Sequence, residues 1–317
     1  MATSHDDACQ QVKVWGETLF GFLDEHAVEA VRGGQFILRH IRPELAAISA
    51  RTGRDPDDEA RELAFYQEMA LLFWIDDCHD RGVMSPDDYA VVEGILVGRM
   101  PDAPTPSVGC SFLRHRLAQL ASHKHDYSQL LADTQAYSTA LRNGKRLASD
   151  PDRWSYSEHL RNGVDSIGYQ NVFGCLSLLW GLDMPRWRTE PAFQNALSFL
   201  CAIGRLQNDL HGLANDRTLG EADNLAVQLE RRYPTLDAVE FLQTEITGYE
   251  RMLRPLLETA NFDPVWVRLM ETMLTVSDQY YATSTLRYRI DDTATTAPSC
   301  DTRHASGAVT GSGNETE

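Results

Sequence analysis

Hydrophobic and polar residues follow each other along this chain with the period of an α-helix. Apolar residues recur every three to four positions over long segments, and the strict alternation typical of β-strands is almost absent. The pattern therefore predicts an all-α protein. The predicted helices lie near residues 10–24, 26–50, 58–81, 86–99, 109–122, 126–147, 155–181, 188–217, 222–232, 235–260 and 264–291. Capping sequences at Ser85-Pro86 and at Thr235-Leu236-Asp237 support two of these starts.

The helical pattern runs without a long linker or a change of composition from residue 10 to residue 291. We therefore expect one helical domain over residues 10–291. Residues 292–317 are small, polar and aperiodic, which predicts a disordered C-terminal tail, and residues 1–9 are expected to form a flexible N-terminus.

The helix predicted at 58–81 carries an apolar stripe that ends in carboxylates. At about 100° per residue, six side chains fall on one face about 100° wide. They are Phe65, Met69, Leu72, Phe73, Asp76 and Asp80. Two carboxylates one turn apart repel each other unless a cation lies between them, and oxygen ligands suit Mg²⁺. Asp77 lies about 100° away, so it is expected to support the metal site from outside the stripe. A solvated helix end is the alternative at this point.

A second group of oxygen ligands lies in the helix predicted at 188–217. Asn208, Gly212 and Asp216 are four residues apart and share one helix face, and Arg205 lies at its edge. Asn208 and Asp216 can coordinate a hard cation, and Gly212 leaves room for a water molecule. A small or apolar wall, which includes Cys201, again leads into oxygen ligands.

Composition excludes several classes of function. The net charge of −17 disfavours nucleic acid and anionic membranes as partners. The six cysteines show no C-x-x-C spacing, which argues against a zinc site or a disulfide framework. No run of 18 apolar residues occurs, so we expect a soluble, cytoplasmic protein without membrane insertion. Monomer and homodimer both stay open.

Three motifs together resemble the class I terpene synthases of the bacterial type. Asp76-Asp77-Cys78-His79-Asp80 resembles their aspartate-rich motif, and Asn208-Asp209-Leu210-x-Gly212-x-x-x-Asp216 resembles their second metal motif. Arg287-Tyr288 resembles their C-terminal Arg-Tyr pair, with Tyr281 six residues before it. The chain departs from the family pattern at Gly212, where a hydroxyl is usual, and at Asp216, where glutamate is usual. Arg217 stands beside Asp216 and is expected to replace the lysine that the family often has before its final acid.

The resemblance implies a single-domain α-helical bundle with a central active-site cavity. It also implies a lyase that ionises a linear isoprenoid diphosphate with a cluster of three Mg²⁺ ions and cyclises the carbocation. Arg287 and Tyr288 would donate to the diphosphate. Arg161, 47 positions before Asn208, would sense the diphosphate and be held by Asp165, next to a helix break within Gly163–Gly168.

An apolar pocket must protect the carbocation from water, and aromatic faces stabilise it. Beside Met69, the candidates for this wall are Phe65, Phe73, Tyr169, Phe173, Trp180, Tyr280 and Tyr281. Seven small residues suggest a roomy pocket and thus favour C20 geranylgeranyl diphosphate, a diterpene precursor, slightly over C15 farnesyl diphosphate. They are Gly163, Ser166, Gly168, Gly174, Ser177, Cys201 and Gly204.

Other functions remain open at this point. A chain-elongating or head-to-head prenyltransferase would share the helical architecture. The motif from Asn208 to Asp216, however, lacks the Asp-Asp pair typical of chain-elongating enzymes and the D-x-x-x-D pattern typical of head-to-head enzymes. His79-Asp80 or His125-Asp126 could belong to an HD-type metal phosphohydrolase, which needs further histidines. A non-catalytic helical scaffold is the last alternative.

Overall fold

The fold is helical throughout the part of the chain that the structure describes. This computed structural model describes residues 4–20, 24–52, 59–80, 128–149, 155–219 and 223–283. Short connections join the helices in these ranges, and no strand occurs within them, which confirms the all-α prediction. The helices predicted at 86–99 and 109–122, the pair His125-Asp126 and the tail 292–317 lie outside these ranges.

Eleven helices can be described in these ranges. They are α1 His5–Phe20, α2 Asp24–Thr52, α3 Glu59–Asp80, α4 Ser128–Ser149, α5 Tyr156–Ser166, α6 Tyr169–Trp180, α7 Met184–Arg188, α8 Pro191–Leu219, α9 Leu225–Arg232, α10 Ala238–Thr259 and α11 Pro264–Thr283. Helix α1 begins inside the segment assigned to a flexible N-terminus, and Ala8 on it is buried. None of the described helices is both long enough and apolar enough to cross a membrane.

The helix predicted at 155–181 is broken near its middle, as the weak helix formers at Gly163–Gly168 indicate. Helix α5 ends at Ser166, and Gly168 adopts φ +78°, a left-handed conformation that side-chain-bearing residues rarely adopt. Helix α6 begins immediately afterwards at Tyr169. The predicted break is confirmed, and it directs the ends of two helices towards the interior.

Helix α8 is the central element of the bundle. It packs against α5, α10 and α11, while α3 packs against α2 and α6. A cluster of rings fills the core beside α8, and in it the ring of Phe173 stacks on Trp266 at 5.6 Å and 12°. Phe193, also in this cluster, meets Phe262 edge to face at 5.6 Å. This dense packing holds α8, which carries the second polar motif, in place.

Candidate active site

A cavity lies where α2, α3, α4, α8 and α11 meet the break between α5 and α6. About 830 Å³ of empty space lies among its lining residues, a volume that includes open solvent at its mouth. Residues that the sequence analysis singled out form much of its lining. These are Met69, Leu72, Phe73, Asp76, Ser166, Gly168, Tyr169, Asn208 and Tyr281. The apolar stripe of α3 and the polar face of α8 therefore open into the same space.

The two polar motifs meet at this cavity. Asp76 comes from α3, and Asn208 comes from α8, 132 positions later, yet both line it. Asp216 is half-buried, and burial raises the pKa of its carboxyl group, with Asp76 adding to the rise. The carboxylates of Asp76 and Asp216 therefore lie within electrostatic range of each other.

Arg205 places a positive charge in the lining of the cavity. Its Nε donates to Asp209 Oδ2 at 3.1 Å, and its other nitrogens donate to Ser166 Oγ at 3.4 Å and to the Asp223 carbonyl at 2.7 Å. Burial alone would lower the pKa of the Arg205 guanidinium, but Asp209 and Asp223 together raise it. The guanidinium is therefore fixed and charged beside Asn208.

Asp216 is held by a residue outside the motif. Asn224 donates from Nδ2 to Asp216 Oδ2 at 2.8 Å and to the Asp209 carbonyl at 2.7 Å. A Cβ atom on Gly212 would lie 2.9 Å from Asp216 Oδ2. The departure from the family pattern at Gly212 is thus coupled to the position of Asp216, whose carboxylate lies close to the missing side chain.

The hydrogen bonds at the helix break differ from the predicted contact between Arg161 and Asp165. Asp165 accepts from Gln170 Nε2 at 3.0 Å, and Arg188 donates to Gln170 Oε1 at 3.0 Å and to Asp133 at 2.6 Å. Burial raises the pKa of the Asp165 carboxyl group. Arg161 is exposed and does not line the cavity, so the structure does not bring it together with the two metal motifs.

The predicted aromatic residues divide into two groups. Phe73, Tyr169 and Tyr281 line the cavity. Phe65, Phe173 and Trp180 are almost completely buried and do not line it, because they pack against other rings. Phe65 meets Trp180 edge to face at 6.4 Å, and helical spacing alone does not distinguish such core positions from wall positions.

Several predicted site residues lie away from the cavity or outside the described residues. Asp77 is half-buried and does not line the cavity. Arg217 is half exposed and donates from Nε to Glu230 Oε2 at 3.1 Å, so in this structure it pairs with α9. Arg287 and Tyr288 lie outside the described residues, as do the side chains of Asp80 and Tyr280.

The small residues also serve different purposes. Ser166 and Gly168 line the cavity, but Gly163, Gly174 and Gly204 lie against side chains of neighbouring helices. Cys201 is fully buried, and Ser177 donates to the Leu182 carbonyl at 2.7 Å. Most of the space that these seven residues suggested is therefore used for helix packing.

His79 is engaged in the core. Its Nε2 contacts the Leu141 carbonyl, and burial lowers the pKa of its imidazole to about 4, assisted by Lys145. Within the described ranges, no three His, Cys, Asp or Glu side chains form a group that could hold a metal ion by themselves. The geometry gives no support to an HD-type metal centre at His79.

Several residues that line the cavity received no role from the sequence, and Arg205 and Tyr137 are two of them. Arg205 lies three positions before Asn208, so its helical register was the available signal. Tyr137 on α4 had no signal, since it stands in no motif. Its hydroxyl donates to the Leu72 carbonyl at 3.0 Å, which connects α4 to the wall formed by α3.

Comparison with solved structures shows that the fold is a known one. Wild-type cucumene synthase is 12% identical, with a TM-score of 0.64 over 88% of this chain and 96% of that chain. Linalool/nerolidol synthase from Streptomyces clavuligerus is 16% identical, with a TM-score of 0.68 over 88% and 95%. The a-eudesmol synthase is 12% identical, with a TM-score of 0.65 over 88% and 95%. These likenesses show the same all-α fold.

The family model described as terpene synthase family 2, C-terminal metal binding, matches residues 67–251. This match covers more than half of the chain and includes both polar motifs. The protein therefore belongs to terpene synthase family 2, and it is a terpene synthase with a metal-binding domain.

Proposed function

We propose that this protein is a Mg²⁺-dependent class I cyclase that converts a linear isoprenoid diphosphate into a cyclic terpene hydrocarbon or alcohol. The single observation that carries the proposal is the cavity in which Asp76, Asn208 and Arg205 meet an apolar wall. The linalool/nerolidol synthase that shares this fold has also been solved in complex with 2-fluorogeranyl diphosphate, an isoprenoid diphosphate analogue.

The oxygen ligands at and near the cavity fit a hard cation. Asp76 and Asn208 line the cavity, Asp216 lies within electrostatic range of Asp76, and all three offer oxygen atoms. Asp80 continues the same helix face and completes the proposed ligands, together with a water at Gly212. Mg²⁺ ions bound there would neutralise the negative charge that develops on the departing diphosphate.

Arg205 is the described cavity residue best suited to contact the diphosphate. Its planar guanidinium stays protonated and is already oriented by Asp209 and Ser166. A fixed charge at this position stabilises the developing anion without reorganisation. In the proposal, Arg287 and Tyr288 add further donors, and Arg161, Asp165 and Arg217 keep their sequence-based roles as secondary candidates.

The apolar wall determines what becomes of the carbocation. Heterolysis of the carbon–oxygen bond leaves the electron pair on diphosphate and a cation on the hydrocarbon. Phe73, Tyr169 and Tyr281 face this space and offer π-electrons, while Met69 helps to exclude water. Loss of a proton then gives a hydrocarbon, and capture of water followed by loss of a proton gives an alcohol.

The space beside the break bears on the proposed substrate length. Because only Ser166 and Gly168 of the seven small residues line the cavity, the preference for C20 loses most of its basis. We therefore place farnesyl diphosphate, and with it a sesquiterpene product, ahead of geranylgeranyl diphosphate.

One assay tests this function. The full chain is incubated with Mg²⁺ and, separately, with geranyl, farnesyl and geranylgeranyl diphosphate, each with and without isopentenyl diphosphate. We expect diphosphate release together with a volatile cyclic product, and loss of both when EDTA removes the metal. Diphosphate release without a terpene product argues against a cyclase. A longer prenyl diphosphate formed only with isopentenyl diphosphate identifies a prenyltransferase.

A further inference from the structure

The ring of Tyr169 lies directly against Gly204. A Cβ atom built on Gly204 would lie 2.5 Å from Tyr169 Cε2, 2.6 Å from Cζ and 2.7 Å from the hydroxyl oxygen. Such separations are far below van der Waals contact for carbon, which is about 3.5–4.0 Å. The outer half of the ring therefore occupies the space that a side chain on α8 would need.

The backbone of Tyr169 is fixed at the start of α6, so a side chain at position 204 has to be accommodated by movement of the ring. It is the first residue of α6 and follows Gly168, whose left-handed backbone fixes the start of that helix. A Cβ atom on Gly168 would already be 3.5 Å from Leu72 and 3.6 Å from Tyr137, so the break itself is closely packed. Tyr169 is buried, and its ring also lines the cavity.

We propose that Gly204 is a specificity-determining residue of the terpene synthase reaction, because its missing side chain sets where the Tyr169 ring lies in the cavity wall. The inference rests on the proposed cyclase function and deepens it. Any side chain at position 204 displaces the ring by about 1 Å, the difference between 2.5 Å and normal contact. Because Tyr169 also lines the cavity, this displacement changes the shape of the cavity beside the break.

Ring position affects product choice more than ionisation. In the proposed mechanism, ionisation depends on the polar lining residues Asp76, Asn208 and Arg205, whereas the apolar lining shapes the folding of the hydrocarbon chain. A shift of the Tyr169 ring therefore changes which carbons meet. Competing cyclisations differ by small barriers, and about 1.4 kcal/mol changes a product ratio tenfold.

The test compares Gly204→Ala with Gly248→Ala. Gly248 lies on α10 with no heavy atom within 4 Å of its virtual Cβ, so it is a matched helical glycine without a contact. With farnesyl diphosphate and Mg²⁺, we expect Gly204→Ala to change the ratio of the two main products by about threefold or more. Its diphosphate release should stay within about tenfold of the wild-type rate, and Gly248→Ala should match the wild type.

A double-variant cycle identifies Tyr169 as the intermediary. The effect of Gly204→Ala on the product ratio should disappear in a Tyr169→Ala background, since no ring remains to be displaced. An unchanged product ratio in Gly204→Ala, or an equal change in both backgrounds, overturns the inference. If Gly204→Ala fails to fold, recovery of folding in the double variant supports the contact, and failure of both overturns it. A wild-type protein without terpene product overturns the proposed function instead.

Discussion

Asn224 holds the carboxylate of Asp216 from the start of the neighbouring helix. Its Nδ2 donates to Asp216 Oδ2 at 2.8 Å and to the Asp209 carbonyl at 2.7 Å. Its Oδ1 accepts from the backbone nitrogens of Ala226 at 2.8 Å and Val227 at 3.2 Å, which caps α9. One buried amide thus joins the second metal motif to α9, and its loss should affect both.

Asn224→Ala should weaken metal binding as well as stability. Loss of the bond to Asp216 frees a carboxylate that the proposed metal site needs in one orientation, and loss of outer partners typically costs about 10–100-fold in metal affinity. We expect the Mg²⁺ concentration for half-maximal activity to rise about tenfold. The Mg²⁺- and diphosphate-induced increase in Tm should shrink in parallel, which checks binding without turnover.

Asn162→Ala is the matched control for this prediction. Asn162 also uses its side-chain amide on a backbone carbonyl, that of Ala140 at 2.7 Å, rather than on Asp216. It should lower Tm without changing the Mg²⁺ dependence. Equal Mg²⁺ dependence in the two variants would mean that Asn224 only stabilises the fold.

Asp76→Ala and Asn208→Ala should each abolish turnover. The two residues lie on different helices at one cavity, so each variant removes an oxygen ligand from a different side of the proposed metal cluster. Single-turnover assays with saturating Mg²⁺ should show at least about a hundredfold loss for each. Asp237→Asn, an exposed helix cap that accepts from Glu240 N at 3.0 Å, should retain activity. Near-normal rates in either cavity variant would remove that residue from the metal site.

Local patterns predicted the helices and the face of each motif, because both depend on neighbours a few residues apart. Asp76 and Asn208 line the same cavity, and the small or apolar helix face that precedes each residue indicated this. Arg161 was selected by its distance from Asn208 along the chain, and spacing cannot show that its side chain faces solvent. Phe173 was a candidate for the cavity wall but stacks on Trp266, and that contact depends on packing between distant helices.

Arg205 should matter more for turnover than Arg161. Arg205→Lys keeps the charge but loses the planar fork that bonds to Asp209 and Ser166, so the charge is no longer fixed at the cavity. We expect kcat/KM to fall about a hundredfold, which corresponds to about 2.7 kcal/mol of transition-state stabilisation. Arg161→Lys should cause a smaller loss, since Arg161 is exposed.

Steady-state kinetics on both lysine variants, with Tm values to verify folding, decide between the two arginines. A larger loss in Arg161→Lys would return the role of diphosphate sensor to Arg161. It would also require the break between α5 and α6 to rearrange when substrate binds.

Phe73→Leu should change the product mixture and Phe173→Leu should lower the stability, although both residues were candidates for the cavity wall. Phe73 lines the cavity and is only half-buried. Its loss removes a π-face from the carbocation and leaves Asp76, Asn208 and Arg205 in place. Phe173 is fully buried and stacks on Trp266 at 5.6 Å, so its loss opens a gap in the core.

For Phe73→Leu we expect diphosphate release within about tenfold of the wild type but an altered product mixture. For Phe173→Leu we expect about 1–3 kcal/mol less stability, read as a lower Tm, with the product mixture preserved in the folded fraction. If both variants change the mixture equally at unchanged Tm, the division of the aromatic residues into wall and core is wrong.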